Sequence, residues 1–228
     1  MGSTIELAAK DGHRFSAYRA LPAGGGTPKG GIVVIQEIFG VNGHMRRVTD
    51  GFAAQGYAAI APALFDRLRP GIELGYDDGG VAEGRELRGE VGWDGPLADV
   101  QAAIDAAAAY GKVGVVGYCW GGSLAFLAAT RLTGLACAVG YYGGQIAQYA
   151  EERTRVPVIL HFGEKDHGIP MSDVDRIRAA HPDMSIFLYP AGHGFNCDER
   201  GSYDAASAAL ALERTLMFFD AKLGGGGA

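Results

Sequence analysis

The sequence predicts an α/β protein with a mostly parallel central sheet, helices on both faces and an antiparallel hairpin at its start. From Gly31 onward, apolar and β-branched runs alternate with amphipathic segments at the spacing of βαβ units. Before them, two short alternating runs flank Asp11 and Gly12, a pair that favours a tight hairpin turn. No linker divides the chain, so residues 1–223 are predicted to form a single domain. The glycine-rich residues 224–228 are predicted to be a flexible tail.

Each element follows from a local pattern. A continuous β-branched run predicts a strand buried on both faces, and spacing by three and four residues predicts a helix. The residues from 66 to 80 show neither pattern and are expected to be irregular. Strands are predicted at residues 4–8, 14–19, 31–36, 57–61, 112–118, 137–141, 158–162 and 186–189. Helices are predicted at residues 44–55, 96–110, 121–130, 174–180 and 205–223.

The composition argues against two classes of partner. The 228 residues are 48% hydrophobic and 20% charged, with a formal net charge of −6. An acidic chain of this kind does not suit nucleic acid or an anionic membrane surface, where a basic face is expected. No apolar run reaches the roughly 18 residues of a membrane span. We therefore expect a cytoplasmic protein that is a monomer or a dimer.

The most informative motif is Gly117-Tyr118-Cys119-Trp120-Gly121, which joins a predicted strand directly to a predicted helix. This is the nucleophile elbow of α/β-hydrolases with sulfur in place of the serine oxygen. The tight turn pushes the Cys119 side chain out at the carboxyl end of the sheet. It also directs the Trp120 backbone N–H toward a developing oxyanion. The alternative is a glycine-rich turn around a buried structural cysteine.

An acid and a histidine follow the elbow in the order that this fold requires, which is nucleophile, acid, histidine. Asp166 follows the predicted strand at residues 158–162, and His193 follows the strand at residues 186–189. All three side chains are therefore expected at the carboxyl edge of the sheet, where ligands bind in open α/β sheets. The sequence predicts a catalytic triad of Cys119, Asp166 and His193. His167 is the competing histidine.

The remaining histidines and cysteines predict neither a metal site nor a disulfide. The three cysteines lack the spacing of a zinc site or a disulfide framework, so all are expected to be free thiols. No two histidines stand three or four residues apart on a helix, as metal ligands often do. His161 lies within a predicted strand and is expected in the core. Three histidines are expected on the surface: His13, His44 and His181.

A second acid follows the first buried strand. Glu37 stands at its end, where burial of a carboxylate costs free energy unless the group has a partner. The same loop supplies the second oxyanion donor in this fold, here the backbone N–H of Ile38. The alternative is an exposed loop acid that pairs with Arg46 or Arg47.

Five segments together carry a resemblance to a known family. They are residues 36–42, 114–122, 141–143, 166–167 and 191–195. In combination they resemble the dienelactone hydrolase (carboxymethylenebutenolidase) family of the α/β-hydrolase superfamily. The resemblance implies hydrolysis of an unsaturated lactone in aromatic degradation, with no cofactor, no metal and a small-molecule lactone or ester as partner.

The resemblance also implies a role for Glu37 as a switch that activates the thiol. In the family, the resting thiol donates a hydrogen bond to this glutamate, and substrate binding helps to pass the proton over. His193, held by Asp166, then stabilises the thiolate and protonates the leaving enolate. A free thiol is mostly protonated at pH 7, so some activation of Cys119 is required.

Recognition of the substrate is where the sequence departs from the family. Relatives place an arginine a few residues after the histidine, and the aligned residue here is Cys197. Arg200, three residues later, is a candidate to replace it by reaching back. The other candidate substrate-binding residues are Arg85, Arg88, Phe39 and Tyr142.

Two other functions remain open at this stage. The same scaffold serves promiscuous carboxylesterases and thioesterases, which would use the same triad. From a different class, the chain could be a non-catalytic binding protein or a redox sensor, because a thiolate at an elbow oxidises readily.

Overall fold

The computed structural model describes residues 2–224; Met1 and most of the predicted glycine-rich tail, residues 225–228, lie outside the described residues. One sheet of eight strands crosses the molecule in the order β1-β2-β4-β3-β5-β6-β7-β8. The strands are β1 (Ser3–Ala8), β2 (Arg14–Ala20), β3 (Gly31–Ile35), β4 (Ala58–Pro62), β5 (Val113–Tyr118), β6 (Leu135–Tyr141), β7 (Val158–Gly163) and β8 (Ser185–Tyr189).

The strand directions confirm the predicted α/β class. β1 and β2 form an antiparallel hairpin, and β2 also runs antiparallel to β4. Every other pairing, from β4 through β3 to β8, is parallel. Because parallel strands end at the same edge, the loops after β3, β5, β7 and β8 meet there. These are the loops that carry Glu37, Cys119, Asp166 and His193.

Helices cover both faces of the sheet. β4 lies on one side of β3, whereas β5 to β8 follow in order on the other side. Right-handed crossovers therefore place the helix that follows β3 on one face, and the helices that lead into β5, β6 and β8 on the other. On the first face α6 joins α1, and Phe52 and Phe219 contact edge to face at 6.0 Å between ring centroids. The helices are α1 (Gly43–Ala54), α2 (Asp78–Val91), α3 (Asp94–Ala107), α4 (Trp120–Arg131), α5 (Met171–Ala180) and α6 (Ala205–Leu223).

Helix α2 is the element that the sequence analysis missed. It begins at Asp78, within the stretch at 66–80 that was predicted to be irregular. Its first turn is capped by Asp77, whose carboxylate accepts a hydrogen bond of 2.7 Å from the backbone N–H of Gly80. The helix matters for function because it places Arg85 and Arg88 beside the carboxyl edge of the sheet.

The central strands are fully buried. Every residue of β3, β4, β5 and β7 is buried, as the continuous apolar runs predict. Among residues 2–224, no helix combines the length and the apolar composition that crossing a membrane requires.

Candidate active site

The turn between β5 and α4 holds Cys119 in a strained backbone conformation. Its φ of 56° and ψ of −116° lie in a region that non-glycine residues rarely adopt. The turn needs glycine on both sides: a Cβ on Gly117 would lie 1.8 Å from the Gly121 carbonyl oxygen. A Cβ on Gly121 would lie 2.4 Å from the Ile35 carbonyl oxygen. The packing of α4 against β3 therefore fixes the exposed position of the sulfur.

The three residues of the predicted triad lie in hydrogen-bond contact. The His193 imidazole places Nε2 at 3.1 Å from Cys119 Sγ and Nδ1 at 2.7 Å from a carboxylate oxygen of Asp166. An ionised carboxylate only accepts, so Nδ1 carries a hydrogen and Nε2 faces the sulfur. The buried Asp166 also accepts a bond of 2.8 Å from the Gly168 N–H. Ser202 donates a hydrogen bond of 2.6 Å to the His193 carbonyl and anchors its loop.

The surroundings of His193 favour its charged form. Burial lowers the pKa of the imidazole, but the Cys119 sulfur and the Asp166 carboxylate outweigh it and raise the pKa to about 10. At neutral pH the ring therefore retains a proton beside the sulfur. This is the arrangement that favours a thiolate–imidazolium pair.

The two backbone N–H groups predicted to bind an oxyanion have no acceptor among the described residues. In the part of the chain that the structure describes, neither the Ile38 N–H nor the Trp120 N–H donates a hydrogen bond. Trp120 is the first residue of α4, so its N–H also lies at the positive end of a helix. The Cys119 N–H donates to the Tyr141 carbonyl at 3.0 Å and so fixes the turn from below.

Glu37 is buried, and its partner is Arg200. The Arg200 guanidinium donates a hydrogen bond of 3.4 Å to one carboxylate oxygen of Glu37. The alternative pairing is wrong, because Arg46 and Arg47 bind other acids at the surface. The hydrogen-bond partner of Cys119 is His193, whereas Arg200 reaches back to one carboxylate oxygen of Glu37.

The charges of Glu37 and Cys119 both act on the Arg200 guanidinium. Burial lowers the pKa of the guanidinium, while the Glu37 carboxylate and then the Cys119 sulfur raise it, with a net increase. The guanidinium also lies over the Phe39 ring, 5.7 Å from its centroid. A single cation thus compensates the carboxylate and the sulfur together.

A cavity of about 600 Å³ opens in front of the sulfur. Its walls include Cys119, Asp166 and His193, together with four of the predicted substrate-binding residues, which are Phe39, Arg85, Arg88 and Arg200. Lys165 also lines the cavity and was missed, although it directly precedes the predicted acid. Four basic side chains against a single acid make this cavity suited to an anionic substrate.

Tyr142 is placed differently from expectation. Tyr142 is fully buried and packs against His193 at 5.1 Å between ring centroids, but it does not line the cavity. Its φ of 37° belongs to a tight turn after β6 that directs the ring beneath the histidine. His167 lines the cavity, yet His193 is the ring that contacts Cys119.

The cysteines and histidines outside the triad differ from it in their burial and in their pKa values. Burial raises the pKa of Cys137 to about 12 and, with the Glu37 carboxylate, that of Cys197 to about 11. His161 lies in the core as predicted. The expectation that His44 lies on the surface is wrong: it is buried, with Nδ1 at 3.0 Å from Asp198.

Comparison with known proteins gives a family that agrees with this geometry. The model of the "Dienelactone hydrolase family" matches residues 15–223. The chain belongs to the dienelactone hydrolase family. The carboxymethylenebutenolidase of Pseudomonas putida is 38% identical over 225 residues, which cover 94% of each chain. A putative carboxymethylenebutenolidase of Synechocystis is 38% identical over 212 residues, 84% of this chain and 86% of that one.

A solved structure gives the same result in three dimensions. The crystal structure of a putative dienelactone hydrolase from Klebsiella pneumoniae superposes with a TM-score of 0.83 at 30% identity, covering 95% of this chain and 98% of that one. These findings confirm the α/β-hydrolase fold and an enzyme that hydrolyses carboxylic esters or lactones.

Proposed function

We propose that this hydrolase opens an unsaturated lactone that carries a carboxylate, with Cys119 as nucleophile, His193 as acid and base, and Asp166 as the group that orients the ring. The observation that carries the proposal is the position of the His193 ring between sulfur and carboxylate, at 3.1 Å and 2.7 Å, in the wall of a basic cavity. The names of the relatives support a lactone of the dienelactone type.

In the first half-reaction, the Cys119 thiolate attacks the lactone carbonyl and forms a carbon–sulfur bond. The negative charge that develops on the carbonyl oxygen is stabilised by the N–H groups of Ile38 and Trp120. The ring carbon–oxygen bond then breaks, and the enolate leaves with the proton of His193. A conjugated enolate is a stable leaving group, so a thiolate is a sufficient nucleophile.

In the second half-reaction, neutral His193 accepts a proton from water as the water attacks the thioester. The carbon–sulfur bond breaks, the carboxylic acid leaves and Cys119 returns to the thiolate beside a protonated imidazole. One water is consumed for each lactone, and the chemistry requires no group beyond these side chains. Asp166 keeps Nδ1 protonated throughout, so that Nε2 always faces the reaction.

Glu37 and Arg200 form the switch of this proposal. A bare carboxylate near the sulfur disfavours a thiolate. With Arg200 bound to Glu37, that charge is compensated and Cys119 is free to ionise against His193. In this proposal the substrate carboxylate binds to Arg85 and Arg88, which leaves Arg200 on Glu37 and keeps the switch in the state that favours the thiolate.

A substrate panel tests the proposal. A dienelactone, the neutral p-nitrophenyl esters and acyl thioesters are compared on the wild type and on Cys119→Ala. We expect the highest kcat/KM for the dienelactone and no turnover in the variant. A higher kcat/KM for neutral esters or thioesters would make the protein a carboxylesterase or a thioesterase on this scaffold. Retention of more than a few per cent of the activity by Cys119→Ala would contradict the nucleophile itself.

A further inference from the structure

A cluster of side chains that could bind a metal ion lies behind the active site. Glu37, His44 and Cys197 each offer one ligand atom, and these three atoms lie within 4.8 Å of one another. They come from three separate places in the chain: the loop after β3, the first turn of α1 and the loop after β8. All three residues are buried. No spacing pattern in the sequence reveals the cluster, because only the fold brings the three residues together.

The cluster contains polar atoms without partners. The second carboxylate oxygen of Glu37 is buried and has no hydrogen-bond partner among the described residues. The hydroxyl of Tyr76 is in the same state. The Tyr76 ring lies 6.2 Å from that of His44, and burial, followed by the Glu37 carboxylate, raises the pKa of its hydroxyl. Each buried polar atom left unpaired costs free energy, which a ligand at the cluster would recover.

We propose that Glu37, His44 and Cys197 bind a divalent metal ion of the zinc type, and that the bound ion inhibits the hydrolase. One imidazole, one thiolate and one carboxylate form a donor set that zinc prefers. His44 already has a carboxylate on one ring nitrogen, since Nδ1 lies 3.0 Å from an oxygen of Asp198. Such a second contact is typical of metal-binding histidines, because it fixes the ring.

The geometry is close to a zinc site. Zinc bonds of about 2.0–2.3 Å at tetrahedral angles place neighbouring ligand atoms roughly 3.3–3.8 Å apart. From separations within 4.8 Å, the ligand atoms need to approach one another by up to about 1.5 Å. Three protein ligands leave the fourth position for a water or for the Tyr76 hydroxyl.

Inhibition follows from the carboxylate that the two sites share. A metal ion on the second oxygen of Glu37 neutralises the carboxylate to which the Arg200 guanidinium donates at 3.4 Å, and so weakens the attraction that holds Arg200 there. Arg200, once released, no longer compensates the charge on the Cys119 sulfur. Metal binding stands on the cluster alone, whereas inhibition through Glu37 rests on the function proposed above. The two parts therefore need separate measurements.

Metal binding is measured without catalysis. Cys119 beside His193 is itself a thiolate and an imidazole, so the assay uses untagged Cys119→Ala protein. Cobalt(II) is titrated in, and thiolate-to-metal charge-transfer absorption is recorded. Zinc affinity is then obtained by competition. We expect one equivalent of cobalt with a charge-transfer band, at least about tenfold weaker zinc binding on His44→Gln, and tighter binding on Arg200→Gln.

Two further variants in the Cys119→Ala background identify the sulfur. Adding Cys197→Ala should abolish the band, and adding Cys137→Ala, a buried cysteine of β6, should leave it unchanged. Cys197→Ser is the substitute if the alanine variant does not fold. Absence of the band from Cys119→Ala, or its survival in the variant that lacks Cys197, would overturn the site.

Inhibition is measured on protein that retains Cys119. Zinc should lower kcat of the wild type, and Cys197→Ala should raise the inhibitory zinc concentration at least about tenfold. Equal inhibition of both proteins would mean that the ion acts on Cys119, and would overturn the inhibitory part. A charge-transfer band without any inhibition would do the same. The substrate panel separates both results from a failure of the proposed function.

Discussion

The loop after β8 holds a half-buried histidine, His193, and the middle of β7 holds a fully buried one, His161. Their surroundings move the two pKa values in opposite directions. His193 contacts the Asp166 carboxylate and the Cys119 sulfur, and its pKa rises to about 10. His161 contacts the hydroxyls of Tyr189 and Thr215, at 2.7 Å and 3.2 Å. Burial lowers its pKa to about 3. Burial alone neutralises an imidazole, and a charged partner reverses the outcome.

The comparison separates the histidine proposed to react from a structural one. Both rings are held by hydrogen bonds at both nitrogens, so satisfied hydrogen bonds do not distinguish them. What differs is the sign of charge around each ring and the strained turn that brings a sulfur to one of them. The experiments below test this difference, in order of decreasing effect.

The largest effect is expected from removal of the sulfur. Cys119→Ala should lose essentially all turnover, because Cys119 is the nucleophile that contacts His193. The fold should be kept, since alanine fits the same turn and the packing of α4 does not use the sulfur. Steady-state kinetics and circular dichroism check the two parts. Retention of more than a few per cent of the activity would show that Cys119 is not the nucleophile.

The next effect tests which histidine acts. His193→Ala should lower kcat by about 10²- to 10⁴-fold, the usual contribution of a positioned acid and base. His167→Ala is the matched control, because His167 lines the same cavity without contacting Cys119. Its kcat should stay within a few-fold of the wild type. A silent His193→Ala together with a damaging His167→Ala would reverse the assignment.

A smaller effect is expected at the charges around the sulfur. Arg200→Gln removes the cation that compensates Glu37 and Cys119, so the pH midpoint for alkylation of Cys119 by iodoacetamide should rise. Adding Glu37→Gln should bring the midpoint part of the way back, since it removes the uncompensated carboxylate. If the double variant had the same midpoint as Arg200→Gln alone, Glu37 would have no influence on the thiol.

The smallest effect on activity is expected at the structural ring. His161→Gln should leave kcat within a few-fold of the wild type. The free energy of unfolding of the variant should fall less at acid pH than that of the wild type. The reason is that the pKa of His161 in the folded protein, about 3, lies below the ordinary value of 6.5. The unfolded wild type therefore binds a proton, below about pH 6.5, that the folded protein does not bind.

The cost of that proton is measurable. Between about pH 6.5 and 3, it lowers the free energy of unfolding of the wild type by up to about 1.4 kcal/mol per pH unit. The variant should lack this contribution. Denaturant unfolding of both proteins at several pH values measures it, and parallel acid profiles would contradict the neutral state of His161.

The sequence predicted the triad because each member follows a strand whose end is readable. Gly117 and Gly121 flank Cys119, and Asp166 and His193 follow apolar runs, so the fold class alone places them at one edge. Helix α2 was not readable in the same way. Its four glycines lower its intrinsic helix propensity, and its stability depends on packing beside the loop after β3. Only the capping residue Asp77 marked its start.

Contacts between distant loops were also beyond the sequence. The reach of Arg200 back to Glu37 depends on how the loop after β8 folds over the sheet edge. The burial of His44 next to Cys197 depends on the same loop, because the carboxylate of Asp198 forms a hydrogen bond with the His44 ring. No periodicity encodes such contacts. They follow from the packing of three loops that the sheet order brings together.

The charge state of His193 gives the most direct test. The imidazole signals of the wild type are followed with pH by NMR, and the signal of His193 is assigned by its absence from His193→Ala. We expect His193 to keep its proton through pH 7 and to release it near pH 10, because the Cys119 sulfur and the Asp166 carboxylate hold the charged ring. A His193 ring that loses its proton near pH 6.5, the ordinary value of an imidazole, would contradict the charge assigned to it.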